Sequence, residues 1–235
     1  MKKSALVICL LVVTLKLIAQ KNNEIDKLKL YSRETPLNNE FAEVDTFVKT
    51  INTNYKSIPE LAQKIFSPFT TDADKVRTAF IWITNNIAYD TEAYHTSKNT
   101  TTRFSYKTNA ERIQKIEKAN YDYAAAVLIK KKGVCEGYAT LFYELCKYAR
   151  IDCEVVQGYA SMNMETLNNK RNQKSFIPNH AWNKVKLGTT WYYIDATWAS
   201  GYCDKPIQHF YKKFEPYYYL TPIQKLYKTH LLKSK

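Results

Sequence analysis

Three short motifs in this chain carry a thiol, an imidazole and a carboxylate, in that order. Cys135 lies in the string GVCEGYA, His180 in NHAW and Asp195 in IDATW. A cysteine nucleophile needs a base that accepts its proton and a third group that orients the base. The chain offers one side chain of each kind, so these motifs predict nucleophilic catalysis by a cysteine.

The helix that follows Gly133 positions the thiol. Apolar residues recur at helical spacing from Cys135 to about Ala149, so the thiol opens this helix. Unpaired amides and the positive end of the helix dipole stabilise a thiolate there, and the N–H of Cys135 can donate to an oxyanion. We expect Gly133 and Gly137 to leave space beside the sulfur for the substrate backbone.

Two predicted strands around Gly188 position the other two groups. Residues 180–187 and 190–197 are predicted to form a β-hairpin. With a two-residue turn made by Gly188 and either neighbour, His180 and Asp195 point to the same face. They then lie about 5 Å apart, or about 7–8 Å on the diagonal. A three-residue turn would place them on opposite faces and contradict a triad.

Each of these residues also has an ordinary structural interpretation. Cys135 could be a buried helix residue, His180 a hydrogen-bonded core histidine and Asp195 a turn residue. The joint occurrence of the three, with matching hairpin faces, favours the catalytic interpretation. His209 and His230 are the competing candidates for the base.

The three motifs resemble the core motifs of the transglutaminase-like superfamily, and the match is closest to its bacterial and kyphoscoliosis-peptidase-like branch. Residues 81–90 (IWITNNIAYD) upstream and 218–222 (YYLTP) downstream extend the similarity, which runs from about residue 60 to the C-terminus. The resemblance implies an α+β fold. In this papain-like transglutaminase core, the nucleophile helix packs against an antiparallel β-sheet.

The same resemblance implies a role for each residue. Cys135 would be the nucleophile, His180 the general base and then acid, and Asp195 the group that orients His180. Trp182 alternates with His180 and would either line the cleft or pack in the core. Residues 89–90 would lie near the site or cap a helix, and no side chain is identified as the second oxyanion donor.

These roles predict a cysteine-dependent acyl-transfer enzyme that forms a thioester, with no metal and no organic cofactor. The favoured interpretation is a peptidase or amidase acting on a protein or peptide, with cell-wall peptides among the candidate substrates. A protein-glutamine transglutaminase is the first alternative, because water or an amine can resolve the thioester. A non-catalytic module that binds carbohydrate or protein on the same fold is the second.

The first 19 residues have the layout of a secretory signal peptide. Two lysines precede an apolar run over residues 5–13, and a small residue, Ala19, ends the segment. Lys16 leaves the apolar run shorter than the ~20 residues that span a bilayer. We therefore expect a secreted or periplasmic protein with no membrane span after cleavage. Its divisions are the signal peptide (1–19), an N-terminal lead-in and helix (20–56) and a transglutaminase-like domain (57–235).

The net charge and the cysteine content argue against two kinds of site, one for nucleic acid and one for zinc. The net charge is +13, but the lysines are spread along the chain, which favours solvated basic faces over a nucleic-acid site. No Cys-x-x-Cys or His-x-x-x-His spacing occurs, which argues against a zinc site. If Cys135 stays free, at most one disulfide can form among Cys146, Cys153 and Cys203.

The spacing of apolar residues elsewhere predicts mostly helices in the part of the chain that precedes Cys135. Helices are expected over residues 39–51, 57–66, 71–86, 110–118 and 121–132, a strand over 155–159, and loops over 92–110 and 161–177. Ser57 and Thr71 are predicted N-caps, and Gly133 is expected to end the last helix before the thiol.

Overall fold

The computed structural model describes residues 41–96, 105–173 and 175–233. The predicted signal peptide (1–19) and most of the predicted lead-in lie outside these residues. Within the described ranges, no helix combines the length and the apolar composition needed to cross a membrane.

Helices dominate the first half of the chain, and the main β-sheet belongs to the second half. The helices are α1 (Ala42–Thr50), α2 (Ile58–Phe66), α3 (Asp72–Asn86), α4 (Thr91–Thr96), α5 (Asn109–Lys130), α6 (Cys135–Tyr148), α7 (Met164–Arg171), α8 (Ala196–Ser200) and α9 (Ile223–Leu226), with a 3-10 helix at Pro216–Tyr218. The strands are β1 (Ala88–Tyr89), β2 (Lys132–Gly133), β3 (Cys153–Ala160), β4 (His180–Leu187), β5 (Thr190–Ile194), β6 (Gly201–Cys203), β7 (Phe210–Lys212) and β8 (His230–Leu232).

The main sheet has the strand order β5-β4-β3-β8, and its neighbours are all antiparallel. The helix that begins at Cys135, α6, packs across β3 and β4. A buried amide links the two layers, since Nδ2 of Asn183 on β4 donates to the carbonyl of Ala139 on α6 at 3.0 Å. The predicted α+β fold, with the nucleophile helix on an antiparallel sheet, is confirmed.

The helices form the other half of the core, with α3 at its centre. This helix begins where the side chain of Thr71 accepts the backbone N–H of Asp74, as predicted for an N-cap. Arg77 on α3 makes a bidentate ion pair with Asp45 on α1, with N–O distances of 2.8 and 2.7 Å. A paired, planar guanidinium of this kind fixes one helix against another.

The turn of the hairpin is one of the two alternatives that the sequence predicted. Leu187 pairs with Thr190, so residues 188–189 form a two-residue turn. Gly188 has a φ of 59°, a conformation that glycine adopts without steric cost. The register is therefore the one that puts His180 and Asp195 one diagonal step apart.

The second strand of the hairpin ends earlier than predicted. β5 stops at Ile194, because the side chain of Asp195 accepts the backbone N–H groups of Thr197 and Trp198 and so begins α8. The distances are 2.9 and 3.0 Å. Asp195 thus leaves the strand and serves as the N-cap of a short helix.

Four further predictions of element boundaries are wrong. The expected break between residues 118 and 121 does not occur, since no glycine or proline interrupts the sequence there and α5 is continuous. It ends with Lys131 in the left-handed conformation (φ 56°), and not at Gly133. The predicted loop over 92–110 includes most of α4, and the predicted loop over 161–177 includes α7, which Asn163 caps.

Candidate active site

The structure brings the three predicted side chains together at the ends of three elements. Cys135 is the first residue of α6, His180 the first residue of β4, and Asp195 the N-cap of α8. Nε2 of His180 lies 2.7 Å from Oδ2 of Asp195, and the Cys135 side chain is near enough to His180 to contribute to the shift of its pKa. With Nε2 engaged by Asp195, Nδ1 is the ring nitrogen that remains for the thiol. This is the connectivity of a thiol–imidazole–carboxylate relay.

Asp195 is a buried carboxylate that accepts four N–H groups. Oδ1 accepts the amides of Thr197 and Trp198, while Oδ2 faces Nε2 of His180 and Nε2 of His230 at 2.7 and 3.1 Å. Burial alone would raise the pKa of Asp195, but the charge of His180 and the hydrogen bonds of both histidines hold that pKa well below its usual range. The carboxylate is therefore ionised throughout the physiological pH range.

His180 is held in its charged form by its neighbours. Burial works against the imidazolium, but the charge and hydrogen bond of Asp195, with smaller contributions from Cys135, raise the pKa of His180 to about 10. A proton that leaves the thiol is thus well accommodated on the imidazole.

The surroundings of Cys135 differ from the expectation in the role of the neighbouring glycines. Cys135 is partly exposed at the start of α6, where the first amides of a helix lack intrahelical partners. Gly137, however, does not open space for a substrate. A Cβ at this position would collide with the side chain of Val127 and crowd the hydroxyl of Tyr123, so the glycine admits α5 instead. Gly133 faces Val127 in the same way.

The two competing histidines have other roles. His209 lies on the loop between β6 and β7, where its Nδ1 is 2.8 Å from Oδ2 of Asp204. His230 is part of the site, but as a second partner of Asp195 and not as the partner of Cys135. The His209–Asp204 contact joins residues only five apart, whereas the His230–Asp195 contact depends on the tertiary path of the chain, for which the sequence gives no signal.

A cavity of about 610 Å³ opens beside His180. Its walls are largely aromatic and apolar and include Tyr89, Trp198 and Tyr218, with Lys205 and Lys213 among its charged residues. A concave, mostly apolar pocket next to reactive groups is the usual form of a substrate site.

The structure decides between the two interpretations of Trp182. Its side chain is 1% exposed and stacks on the His180 ring, with centroids 5.8 Å apart. Trp182 is therefore a core residue that supports His180. The tryptophan that lines the cavity is Trp198, in the third motif.

Tyr89 connects the upstream motif to the site. β1 runs parallel to β2, which pairs Tyr89 with Gly133, two residues before Cys135. The Tyr89 side chain lines the same cavity as His180. Burial, and then negative charge on Cys135 and Cys203, raise the pKa of the Tyr89 phenol, so its hydroxyl keeps its proton. Tyr89 is thus a hydrogen-bond donor close to the thiol.

One group of ligand atoms has the composition of a metal site. The side chains of His180, Asp195 and His230 each offer one ligand atom, and these atoms lie within 4.8 Å of one another. Both ring nitrogens lie within hydrogen-bonding distance of the same carboxylate oxygen, so the three side chains form one hydrogen-bonded group.

Comparison with known proteins supports the resemblance drawn from the motifs. Residues 99–196 match the family model described as the transglutaminase-like superfamily. Kyphoscoliosis peptidase of Homo sapiens is 28% identical over 185 residues, and that of Mus musculus is 30% identical over 165 residues. The alignments cover 77% and 69% of this chain but 24% and 21% of those proteins, so the chain spans about a quarter of the length of these curated relatives.

Solved structures give a weaker likeness. A candidate cysteine protease from Cytophaga hutchinsonii has 22% sequence identity and a TM-score of 0.38, covering 69% of this chain and 45% of that one. A structure described as a TGase has 19% identity and a TM-score of 0.36, covering 75% of this chain and 38% of that one. The family match supports a cysteine-dependent enzyme in general.

We expect iodoacetamide at mildly acidic pH to label Cys135 before the other described cysteines. A neighbouring imidazolium such as His180 makes a cysteine more reactive, whereas burial raises the pKa of Cys146 well above its ordinary value and also raises that of Cys203. Mass spectrometry of a labelling time course gives the order of reaction.

The matched control for this labelling is His180→Ala, which should remove the selectivity while leaving the thiol in place. Uniform labelling of the wild type, or labelling mainly at Cys203, would contradict a thiolate–imidazolium pair.

Proposed function

We propose that this chain, which carries the core of the transglutaminase-like superfamily, is a cysteine-dependent acyl-transfer enzyme with Cys135, His180 and Asp195 as its catalytic triad. The observation that carries the proposal is the position of His180, whose ring hydrogen-bonds to the buried Asp195 carboxylate and is near enough to Cys135 for that side chain to act on its pKa. A peptidase or amidase is the favoured activity, and the peptidase names of two relatives support it.

Acylation would use the thiolate–imidazolium pair directly. Sγ of Cys135 attacks the carbonyl carbon of a peptide or carboxamide, and the π electrons move to the carbonyl oxygen. When this tetrahedral intermediate collapses, the C–N bond breaks and His180 gives its proton to the leaving amine. A thioester between the acyl group and Cys135 remains, and His180 is then neutral.

Deacylation reverses the proton path. Neutral His180 accepts a proton from the incoming nucleophile, which attacks the thioester carbonyl, and the C–S bond then breaks. Water as nucleophile gives a carboxylic acid and a hydrolase. A substrate amine gives a new amide and a transglutaminase, which is the alternative activity.

Two donors are available for the developing oxyanion. The backbone N–H of Cys135 lies at the start of α6, where the helix dipole is positive. The second donor in this proposal is the Tyr89 hydroxyl, because Tyr89 lines the cavity, stays protonated and is anchored beside Gly133. A short β1–β2 pairing would thus hold both donors in one arrangement.

The proposed substrate is a protein or peptide outside the cytoplasm, with cell-wall peptides among the candidates. The pattern of residues 1–19 supports secretion or a periplasmic location. The mostly apolar walls of the cavity support a substrate that carries a sizeable apolar group near the reacting carbonyl.

A library of peptides and glutamine donors, offered with and without a primary amine, should reveal turnover by the wild type and none by Cys135→Ala. Hydrolysed products identify a peptidase or amidase, and products that incorporate the amine identify a transglutaminase. Binding without turnover by both proteins would favour the non-catalytic module and contradict the proposal.

Asp195→Asn should lower turnover with little loss of thermal stability. The amide oxygen can still cap α8, but an NH₂ group would face two N–H donors and favour the wrong tautomer of His180. The corresponding change costs on the order of 10⁴ in a serine-protease triad, and we expect a smaller loss here because the resting ion pair needs less assistance. Full activity would exclude Asp195 from the triad, and a large fall in melting temperature would make its role structural.

Tyr89→Phe should lower kcat by about 10- to 100-fold and change KM by less than about threefold, since an oxyanion donor acts mainly in the transition state. Tyr94→Phe is a matched control on the neighbouring helix, because Tyr94 contacts the Tyr89 ring but does not line the cavity. Equal kcat values for Tyr89→Phe and the wild type would assign the second donor elsewhere.

A further inference from the structure

A second histidine contacts the Asp195 carboxylate beside His180, and the mechanism above does not use it. His230 is the first residue of β8, the edge strand, where it pairs with Ala160 of β3. Its side chain is completely buried. Its Nε2 lies 3.1 Å from Oδ2 of Asp195, the same oxygen that accepts from His180.

The protonation of His230 follows from its two partners. Asp195 is an ionised acceptor, so the ring nitrogen that faces it, Nε2, carries a proton. Nδ1 lies 2.8 Å from the hydroxyl of Thr229, which is able to donate to it. Burial lowers the pKa of His230 and outweighs the hydrogen bond and charge of Asp195, which raise it, while the charge of His180 lowers it further. His230 is thus a neutral imidazole with its proton on Nε2.

Three aromatic rings hold the His230 ring in place. The ring of Trp182 meets it edge-on at 4.9 Å between centroids, Trp198 lies at 4.7 Å and Tyr218 at 5.9 Å. Gly158 makes room for this packing, because a Cβ there would overlap with the Trp182 ring. Trp182 and Trp198 also contact the His180 ring, so one aromatic cluster fixes both histidines.

We propose that His230 is a positioning residue for the triad, and that its Nε2–H holds the Asp195 carboxylate in the orientation that presents Oδ2 to His180. The proposal rests on the proposed function. The two backbone amides of α8 fix Oδ1, and His230 fixes Oδ2 together with His180, whose ring centroid lies 5.6 Å from that of His230. A carboxylate held at both oxygens cannot turn away when the proton moves between thiol and imidazole.

The charges around Asp195 make this role distinct from that of His180. The titratable groups that face it are His180 on β4, His230 on β8, Tyr218 on the 3-10 helix and Tyr138 on α6. Burial raises the pKa of both phenols, so neither carries charge at neutral pH. His180 therefore supplies the counter-charge, and His230 supplies a hydrogen bond without charge.

The test compares the wild type with His230→Leu, which removes the donor, and His230→Gln, which keeps an N–H donor near the position of Nε2. The readout is the rate of Cys135 alkylation by iodoacetamide across the pH range, beside kcat, KM and melting temperature. In His230→Leu the Asp195 carboxylate can turn away from His180, which weakens the imidazolium that stabilises a Cys135 thiolate, so the acidic limb of the profile should move to higher pH by about one unit. We expect kcat to fall at least about tenfold with KM nearly unchanged, and His230→Gln to restore most of both.

A purely structural role for His230 would lower the melting temperature of His230→Leu without moving the pH profile, and that result overturns the proposal. Nitrogen-15 spectra of the wild type provide a test that needs no variant. They should show His230 as the neutral Nε2–H tautomer at neutral pH, and a charged or Nδ1–H ring overturns the proposal even if His230→Leu does not fold. If His180→Ala leaves the wild-type alkylation profile unchanged, the proposed function itself fails, which is a different result.

Discussion

The site depends on the hydrogen bonds and the charge interaction that the buried Asp195 carboxylate makes with its neighbours. An ionised carboxylate in a protein interior is costly unless its lone pairs are satisfied by donors and its charge is balanced. Here four N–H groups and one imidazolium meet that requirement. The same contacts that make the charge tolerable also hold His180 as the cation that faces Cys135.

The fold supplies these contacts from elements that are distant in the sequence. A two-residue turn sets the hairpin register that places Asp195 near His180, and the end of β5 frees the Asp195 side chain to cap α8. Asn183 anchors the strand of His180 to the helix of Cys135 through a hydrogen bond to a helix carbonyl. Cys135 and His180 are therefore held on one packed unit of helix and sheet.

Much of the site follows from local rules that the sequence contains. Side chains alternate between the two faces of a strand, so the shared face of His180 and Asp195 could be predicted from residue numbers and turn length alone. The helix start at Cys135 and the caps at Ser57 and Thr71 depend on short-range hydrogen bonds, and these were also predicted correctly.

The remaining features depend on long-range packing, which a single sequence does not encode in an obvious pattern. His230 reaches Asp195 because β8 pairs with β3, which lies about 70 residues earlier in the chain. No sequence motif indicates that pairing. Gly137 resembles a glycine that admits a substrate, but the packing of α5 against α6 uses the space. The length of α5 was underestimated because polar residues on an exposed helical face resemble a break.

The central claim is that the Asp195 carboxylate holds His180 as an imidazolium beside a thiolate. The most direct measurement is the nitrogen-15 spectrum of the His180 ring as a function of pH, in the wild type and in Asp195→Asn. The account predicts that both ring nitrogens of His180 are protonated near neutral pH in the wild type, and that the ring loses this charge at lower pH in Asp195→Asn. A neutral His180 ring in the wild type near neutral pH would contradict the account.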